Sequence, residues 1–115
     1  MSKIYKGQDF EFEITLSRKE KPHRINDDAV VRASIFDSLG NQQSEWIVYP
    51  RNNGTDSDWQ LGVLAETIPA TETSGITSNS AELRINIVGN DEDRDGNLAS
   101  DSYDRTWGFP GLLVS

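Results

Sequence analysis

Residues 9–16 alternate strictly between polar and apolar side chains, and this pattern constrains the fold more than any other part of the sequence. Successive side chains of a β-strand point to opposite faces, so an alternating segment has one apolar face and one solvated face. The segment therefore predicts a half-buried antiparallel strand. Its apolar face would consist of Phe10, Phe12, Ile14 and Leu16, and its solvated face of Asp9, Glu11, Glu13 and Thr15.

Four further segments have strand character, at residues 29–36, 46–49, 59–65 and 81–87. They are rich in β-branched and aromatic residues and are bounded by Gly, Pro, Asn and Asp, which favour turns. Three of them alternate clearly enough to predict which side chains face the core. These are Ala29, Val31, Ala33 and Ile35, then Trp59, Leu61, Val63 and Ala65, and finally Ala81, Leu83, Ile85 and Ile87.

The segments between the strands predict turns and loops. Residues 37–41 predict a tight hairpin turn in which Gly40 or Asn41 takes a positive φ. Residues 66–80 predict a connection, with Ile68 and Ile76 against the edge of the core. Residues 89–102 predict a polar loop and 108–111 a turn. No window shows the spacing of an amphipathic helix, so we expect little helix and a β-sandwich or small barrel.

Length and composition indicate one domain covering residues 1–115. The sequence has no cysteine, which excludes disulfides and thiolate metal sites, and no apolar run approaches the roughly 18–20 residues of a membrane span. A formal net charge of -8 disfavours diffuse electrostatic binding to nucleic acid or anionic lipid. We therefore expect a soluble protein, made in a cytoplasm, that neither binds nucleic acid nor inserts into a membrane.

The charge is unevenly distributed along the chain. Residues 18–24 are locally basic, whereas residues 91–104 contain six acidic residues and one arginine. If the two segments lie at different ends of the domain, copies of the chain could meet head to tail in a ring or array. The alternative is that both are solvated loops. The apolar residues 112–114 either complete their own sheet or add to a neighbour's edge. The candidate interface residues are Arg18, Lys19, Lys21 and Arg24.

The acidic segment also contains the first half of a calcium-binding loop. Asp91, Asp93 and Asp95 stand at alternate positions and are followed by Gly96, which permits a sharp turn. Carboxylates in this arrangement can converge on a hard cation. The bidentate Glu expected later in such a loop is replaced by Ser102. The alternative interpretation is a solvated acidic hairpin in which Asp and Gly serve the turn geometry.

Catalytic patterns are weak throughout the sequence. His23, the only histidine, follows a proline in a charged connection and has no evident nucleophile beside it. Trp46, Trp59 and Trp107 could form a sugar platform, but aromatic residues at alternating strand positions are more often part of a core. No glycine-rich phosphate loop is present. We therefore expect a protein without enzymatic activity.

The order of these features is similar to that of a known family. Residues 4–16, with an apolar start, Gly7 and an alternating strand, resemble the opening of small immunoglobulin-like domains in bacteriophage virion proteins. The N-terminal domain of siphophage baseplate upper proteins is typical of this family. Gln8 stands where the family has Asp. Further similar segments are the strand at 29–36, the glycine-containing hairpin at 37–41, the strand at 81–88 and the closing residues 111–114.

This resemblance implies an antiparallel, immunoglobulin-like β-sandwich of six to eight strands. It implies a non-enzymatic structural protein of the virion, in a tail, baseplate, fibre adaptor or head decoration. Such a protein docks onto other virion proteins, forms oligomers and needs no cofactor. The alternative is a β-sandwich module that binds carbohydrate or calcium and lets a particle adhere to a cell surface.

Overall fold

The computed structural model describes residues 3–18, 21–22, 25, 29–49, 59, 61–92 and 98–115. The regular structure of these residues is almost entirely β, which confirms the predicted all-β sandwich with little helix. No helix in this part of the chain has the length and apolar character that crossing a bilayer requires. The elements are β1 (Phe10–Thr15), β2 (Ser17–Arg18), β3 (Lys21–Pro22), β4 (Val30–Asp37), β5 (Ile47–Tyr49), β6 (Val63–Ile68), α1 (Ala70–Thr73), β7 (Ser80–Glu92) and β8 (Leu98–Leu113).

Two antiparallel sheets enclose the core. β1 pairs with β6 in one sheet, and the other sheet has the strand order β5-β4-β7-β8. β2 and β3 form a separate hairpin, in which Arg18 pairs with Lys21. The inward side chains of both sheets form one apolar cluster. Because burying one large aliphatic side chain contributes roughly 1.5–3 kcal/mol, this cluster is the main source of stability.

The clearest alternating segments form strands with the predicted faces. In β1, Phe10, Phe12 and Ile14 are buried, and the residues between them are exposed. The central strands β4 and β7 pair from Val30 with Val88 to Asp37 with Ala81. Six of their core-facing residues have no exposed surface, as the alternation predicted. These residues are Val31, Ala33, Ile35, Leu83, Ile85 and Ile87.

The prediction for residues 59–65 is wrong in its phase. Leu61 and Ala65 are exposed rather than buried, and Val63 is half-buried. Gly62 causes the shift, because its φ is +74° and its N–H donates to the carbonyl of Trp59 at 3.1 Å. A positive φ turns the chain, so alternation counted across this glycine assigns the wrong face. Trp59 is buried, as predicted, but it precedes the strand. The side chains that β6 buries are Leu64, Glu66 and Ile68.

The hairpin turn at residues 37–41 is confirmed. Gly40 has a φ of +88°. The Asp37 carboxylate accepts hydrogen bonds from the backbone N–H of Leu39 at 2.9 Å and of Asn41 at 2.8 Å. Hydrogen bonds from Asn41 lower the pKa of Asp37 below its ordinary value, and the bond from the Asn41 backbone has a larger effect than the one from its side chain. The turn therefore holds Asp37 in its charged form.

Residues 89–92 and 98–102 lie in strands and not in the predicted loop, whereas residues 93–97 of that prediction lie outside the described residues. β7 continues to Glu92, and β8 begins at Leu98. Among the described residues, β4 pairs with β7 as far as Val88, and β7 and β8 continue to pair with each other beyond it as a two-stranded ribbon. The sequence of these residues lacks the alternation that predicts a half-buried strand.

Residues 108–111 are not a turn either, because they lie inside β8. Pairing advances from Phe109 to Leu112 on β8 while it moves only from Leu83 to Ala81 on β7. The extra residue is a β-bulge. β8 is the last strand of the sheet, and a proline is tolerated at such an edge and within a bulge.

Residues 66–80 include the end of β6 and the short helix α1. Ile68 and Ile76 are buried, as predicted. The helix is tied to the start of β1 by two hydrogen bonds. The backbone N–H of Ala70 donates to the carboxylate of Asp9 at 2.8 Å, and the hydroxyl of Thr73 donates to the carbonyl of Gln8 at 2.7 Å.

The last residues of the chain complete their own fold. The backbone N–H of Ile4 donates to the carbonyl of Leu113 at 2.8 Å, and that of Ser115 donates to the carbonyl of Ile4 at 2.9 Å. Leu112 and Val114 are buried. Of the two roles predicted for residues 112–114, the structure therefore supports the intramolecular one.

Candidate docking surface on the four-stranded sheet

The outer face of the four-stranded sheet is formed by the side chains that point away from the core. One row across it takes one residue from each strand, in the order Val48, Arg32, Asn86 and Thr106. Neighbours in such a row have their Cβ atoms about 4.5–5.5 Å apart, so their side chains touch. Strand pairing therefore brings together residues that are distant in sequence.

Three valines are exposed on this face. Val30 and Val88 are direct cross-strand partners, with 49% and 39% of their surface exposed. Val48 is 61% exposed and lies in the next row, opposite Arg32. Single exposed apolar residues are ordinary, but neighbouring ones form a patch, and such patches often mark interaction sites.

Arg32 is held in one position beside these valines. Its guanidinium lies over the ring of Trp46, with Cζ 4.3 Å from the ring centroid. Its Nε donates to Oδ1 of Asn86 at 2.9 Å. The Asn86 amide in turn donates to Oδ1 of Asp104 at 2.7 Å and to the hydroxyl of Thr106 at 3.1 Å. Because Asn86 is only 5% exposed, this network fixes the arginine through a buried side chain.

A second cluster continues from Trp46 toward the other end of the sheet. Trp46 meets Phe36 edge to face, with ring centroids 5.8 Å apart. The Arg84 guanidinium lies over Phe36 and forms an ion pair with Glu82 through Nε. The Glu82 carboxylate fits because Gly108 has no side chain; a Cβ there would be 2.7 Å from the Glu82 Oε1. The charge of Arg84 is thus already paired.

Buried serine hydroxyls hold the segment before β5 against β4 and so position Trp46. Ser34 and Ser44 are 0% and 7% exposed, and the Ser34 hydroxyl donates to the carbonyl of Ser44 at 2.8 Å. The backbone N–H of Ile35 donates to the Ser44 hydroxyl at 2.9 Å, and that of Gln43 to the Ile35 carbonyl at 2.8 Å. Alternation in residues 29–36 places Ser34 on the side opposite the predicted core positions, but this segment covers it.

We call the central part of the outer face the docking face. It combines exposed aliphatic side chains with an arginine and a tryptophan fixed by hydrogen bonds and stacking. Arginine and aromatic residues are enriched at the energetic centres of protein interfaces. The arrangement is therefore suited to binding another protein surface. The docking face consists of Val30, Arg32, Trp46, Val48, Asn86, Val88, Asp104 and Thr106.

No family model, curated protein or solved structure matches this chain. The assignment of a site therefore depends on the geometry and on the residues themselves.

Of the interface residues predicted from charge, the two that the structure describes, Arg18 and Lys21, are not on the docking face. Arg18 and Lys21 pair with each other in the β2–β3 hairpin, whereas Lys19 and Arg24 lie outside the described residues. The carbonyl of Ser17, the first residue of that hairpin, accepts a hydrogen bond from the Trp107 indole at 3.3 Å. Trp107 packs against the core, so the hairpin begins on the core side of β8.

The calcium prediction stays untested. Asp91 lies in β7, within the ribbon, and Asp93 and Asp95 lie outside the described residues. Within the residues that are described, no group of three or more His, Asp or Glu side chains is arranged to hold a metal ion.

The two-stranded sheet carries a different surface. A groove of about 500 Å³ runs along it and is lined by Glu11, Phe12, Glu13, Ala65, Glu66 and Thr67. On the core side of this sheet, the Tyr49 hydroxyl donates to the carbonyl of Thr67 at 2.9 Å. Burial raises the pKa of Tyr49 above its ordinary value of 10.0, and the negative charge of Glu66 raises it further by a smaller amount. The phenol is therefore neutral and structural at ordinary pH.

The docking face was not predicted from the sequence, although one signal was present. Val30 lies outside the core-facing set predicted for residues 29–36, and Val88 directly follows the predicted strand at 81–87, so two valines had no predicted place in the core. Nothing in the sequence indicated that they are neighbours. Only strand pairing places them side by side.

Proposed function

We propose that this chain is a non-enzymatic structural protein of a bacteriophage virion, and that it docks onto another virion protein through the docking face. The observation that supports docking is the group of exposed valines beside an immobilised arginine and tryptophan. A preformed surface of this kind loses little conformational entropy on binding. The virion context is supported by the resemblance of residues 4–16 to the baseplate upper-protein domain.

The docking proposal is tested by co-expressing the chain with the proteins encoded by neighbouring reading frames and isolating complexes. Val48→Asp should weaken the complex at least about tenfold, because it places an unpaired charge in an apolar contact. Leu39→Asp is the matched control, since Leu39 is 87% exposed on the hairpin turn, away from the docking face. Equal binding by both variants would contradict the docking proposal. If the neighbouring reading frames encode no virion proteins, the proposal that this chain belongs to a virion is contradicted.

We also propose that copies of the chain associate through their charged segments. The β2–β3 hairpin begins at Ser17, whose carbonyl accepts a hydrogen bond from the Trp107 indole. The basic residues 18–24 of one copy would meet the acidic residues 91–104 of the next, head to tail, in a ring or array. Light scattering should then give a multimer at low salt that dissociates as salt rises.

Two results would instead support the adhesion module. One is a monomer that binds glycans on an array. The other is a melting temperature that rises with calcium and falls with a chelator, and that no longer responds after Asp93→Asn and Asp95→Asn.

A further inference from the structure

The positive charge of Arg32 is not balanced by a carboxylate among the described residues. Its Nε is bonded to a neutral amide, that of Asn86, and one face of its guanidinium lies on Trp46. In the described part of the chain, its two terminal nitrogens, Nη1 and Nη2, donate no hydrogen bond. Arg84, on the same face, differs because its guanidinium is paired with Glu82.

This arrangement limits what can cover the docking face. Any partner that buries Val30, Val48 and Val88 must also cover Arg32, which lies among them and is already half-buried. Covering an arginine with apolar groups alone would leave an unpaired buried cation, which is strongly disfavoured. The partner must therefore bring an acceptor to the two terminal nitrogens. Their planar, parallel N–H groups match a carboxylate, which accepts both.

We propose that the docking face recognises a protein segment in which an Asp or Glu carboxylate lies beside an aliphatic side chain. The carboxylate is bound by Nη1 and Nη2 of Arg32, and the aliphatic group packs on the valines. This inference rests on the docking part of the proposed function. A phosphate is a poorer match, because its second negative charge would face the exposed carboxylate of Asp104 and a chain with a net charge of -8.

A titration with small probes tests the inference on the intact protein. The probe is 4-methylpentanoate, which combines a carboxylate with a branched aliphatic group, and its neutral isostere 4-methylpentanamide is the control. Spectra of the Arg32 Nε–H, the Trp46 indole N–H and the valine methyl groups report binding. We expect saturable shifts with a Kd on the order of 10 mM, as for a weak fragment. The amide should bind at least about tenfold more weakly.

Two variants distinguish the contribution of the two parallel N–H donors of Arg32 from that of its positive charge. Arg32→Lys keeps the charge and part of the contact with Trp46 but lacks the two parallel donors, so its affinity for the carboxylate should fall severalfold. The dispersion of its amide spectrum shows whether it is folded. Arg84→Met removes the arginine that is already paired, and the carboxylate should still bind. Equal loss in both variants would overturn the assignment to Arg32.

Three other outcomes would also overturn it. These are equal binding of carboxylate and amide, tighter binding of inorganic phosphate at Arg32, and the absence of shifts at Arg32 with all three probes. The titration uses no virion protein, so its failure removes the carboxylate assignment alone. Docking itself is decided by the comparison of Val48→Asp with Leu39→Asp.

Discussion

Replacing Ser44 by alanine should destabilise the protein far more than the loss of one hydroxyl group suggests. The Ser44 hydroxyl is the acceptor for the backbone N–H of Ile35, a residue with no exposed surface. Without it this amide has no partner, and an unsatisfied buried donor costs about 1–3 kcal/mol. We therefore expect Ser44→Ala to lower the free energy of unfolding by about 2 kcal/mol, out of the ~5–15 kcal/mol typical of a domain.

Ser34→Ala provides the comparison that makes this reasoning refutable. Ser34 is as buried as Ser44, but its removal leaves the Ser44 carbonyl bonded to the Gln42 amide at 2.7 Å and leaves the Ile35 N–H bonded to Ser44. No backbone group loses its only partner, so we expect a cost of about 0.5–1 kcal/mol. Ser38→Ala, in the exposed hairpin turn, should change stability by less than about 0.5 kcal/mol.

Urea unfolding followed by tryptophan fluorescence measures all three variants. The m-values should agree, because each variant exposes the same surface on unfolding. The reasoning is refuted if Ser34→Ala costs as much as Ser44→Ala, or if Ser44→Ala costs less than about 0.5 kcal/mol. Either result would mean that another group, or water, satisfies the Ile35 amide.

Two other variants test the phenol on the core side of the sheet and the ion pair on the outer face. Tyr49→Phe removes the hydrogen bond to Thr67, and we expect a cost of about 1–2 kcal/mol near pH 8. Because the folded-state pKa of Tyr49 is raised, its proton stabilises the fold fully below pH 10.0 and less as the pH rises above that value. The free energy of unfolding, measured with urea between pH 8 and 11, should therefore fall more steeply with pH for the parent than for Tyr49→Phe. Equal slopes would contradict a stabilising role for the Tyr49 proton. Replacing a strand glycine by alanine usually raises the free energy of unfolding by about 0.5–1 kcal/mol. Gly108→Ala also forces the Glu82 carboxylate away from Arg84, so we expect the loss of this ion pair to cancel that gain. In a Glu82→Ala background the same substitution should give that full gain, and an identical effect in both backgrounds would show that the contact is absent.

Strand identity could be predicted wherever burial follows the local sequence. β1 is the clearest example: Phe10, Phe12 and Ile14 face one core, so alternation alone indicates both the strand and its inner face. The same holds for the inner faces of β4 and β7. The turn at 37–41 was predictable for a different local reason, namely the side-chain capping by Asp37 and the positive φ of Gly40.

The errors arise where distant contacts outweigh local pattern. Gly62 reverses the phase of the strand that follows it, and a contact distant in sequence holds it, because the Leu16 N–H donates to the Gly62 carbonyl at 2.8 Å. Beyond Val88, β7 and β8 pair with each other, although the sequence there lacks the alternation that predicts a half-buried strand. Residues 108–111 resemble a turn in isolation but belong to an edge strand, in which they form a β-bulge and Gly111 has a φ of +84°.

The sequence by itself determined the fold class and the inward faces of its clearest strands, because both depend on which residues avoid water at a period of two. It did not determine the docking face. Arg32, Val48, Asn86 and Thr106 become one row only through the register of β5, β4, β7 and β8. A shift of one residue in any of these strands would turn its member of the row toward the core. Register depends on packing across the whole sandwich, so the tertiary structure alone decided that Arg32, whose Nη1 and Nη2 donate no hydrogen bond to the described residues, lies among exposed valines.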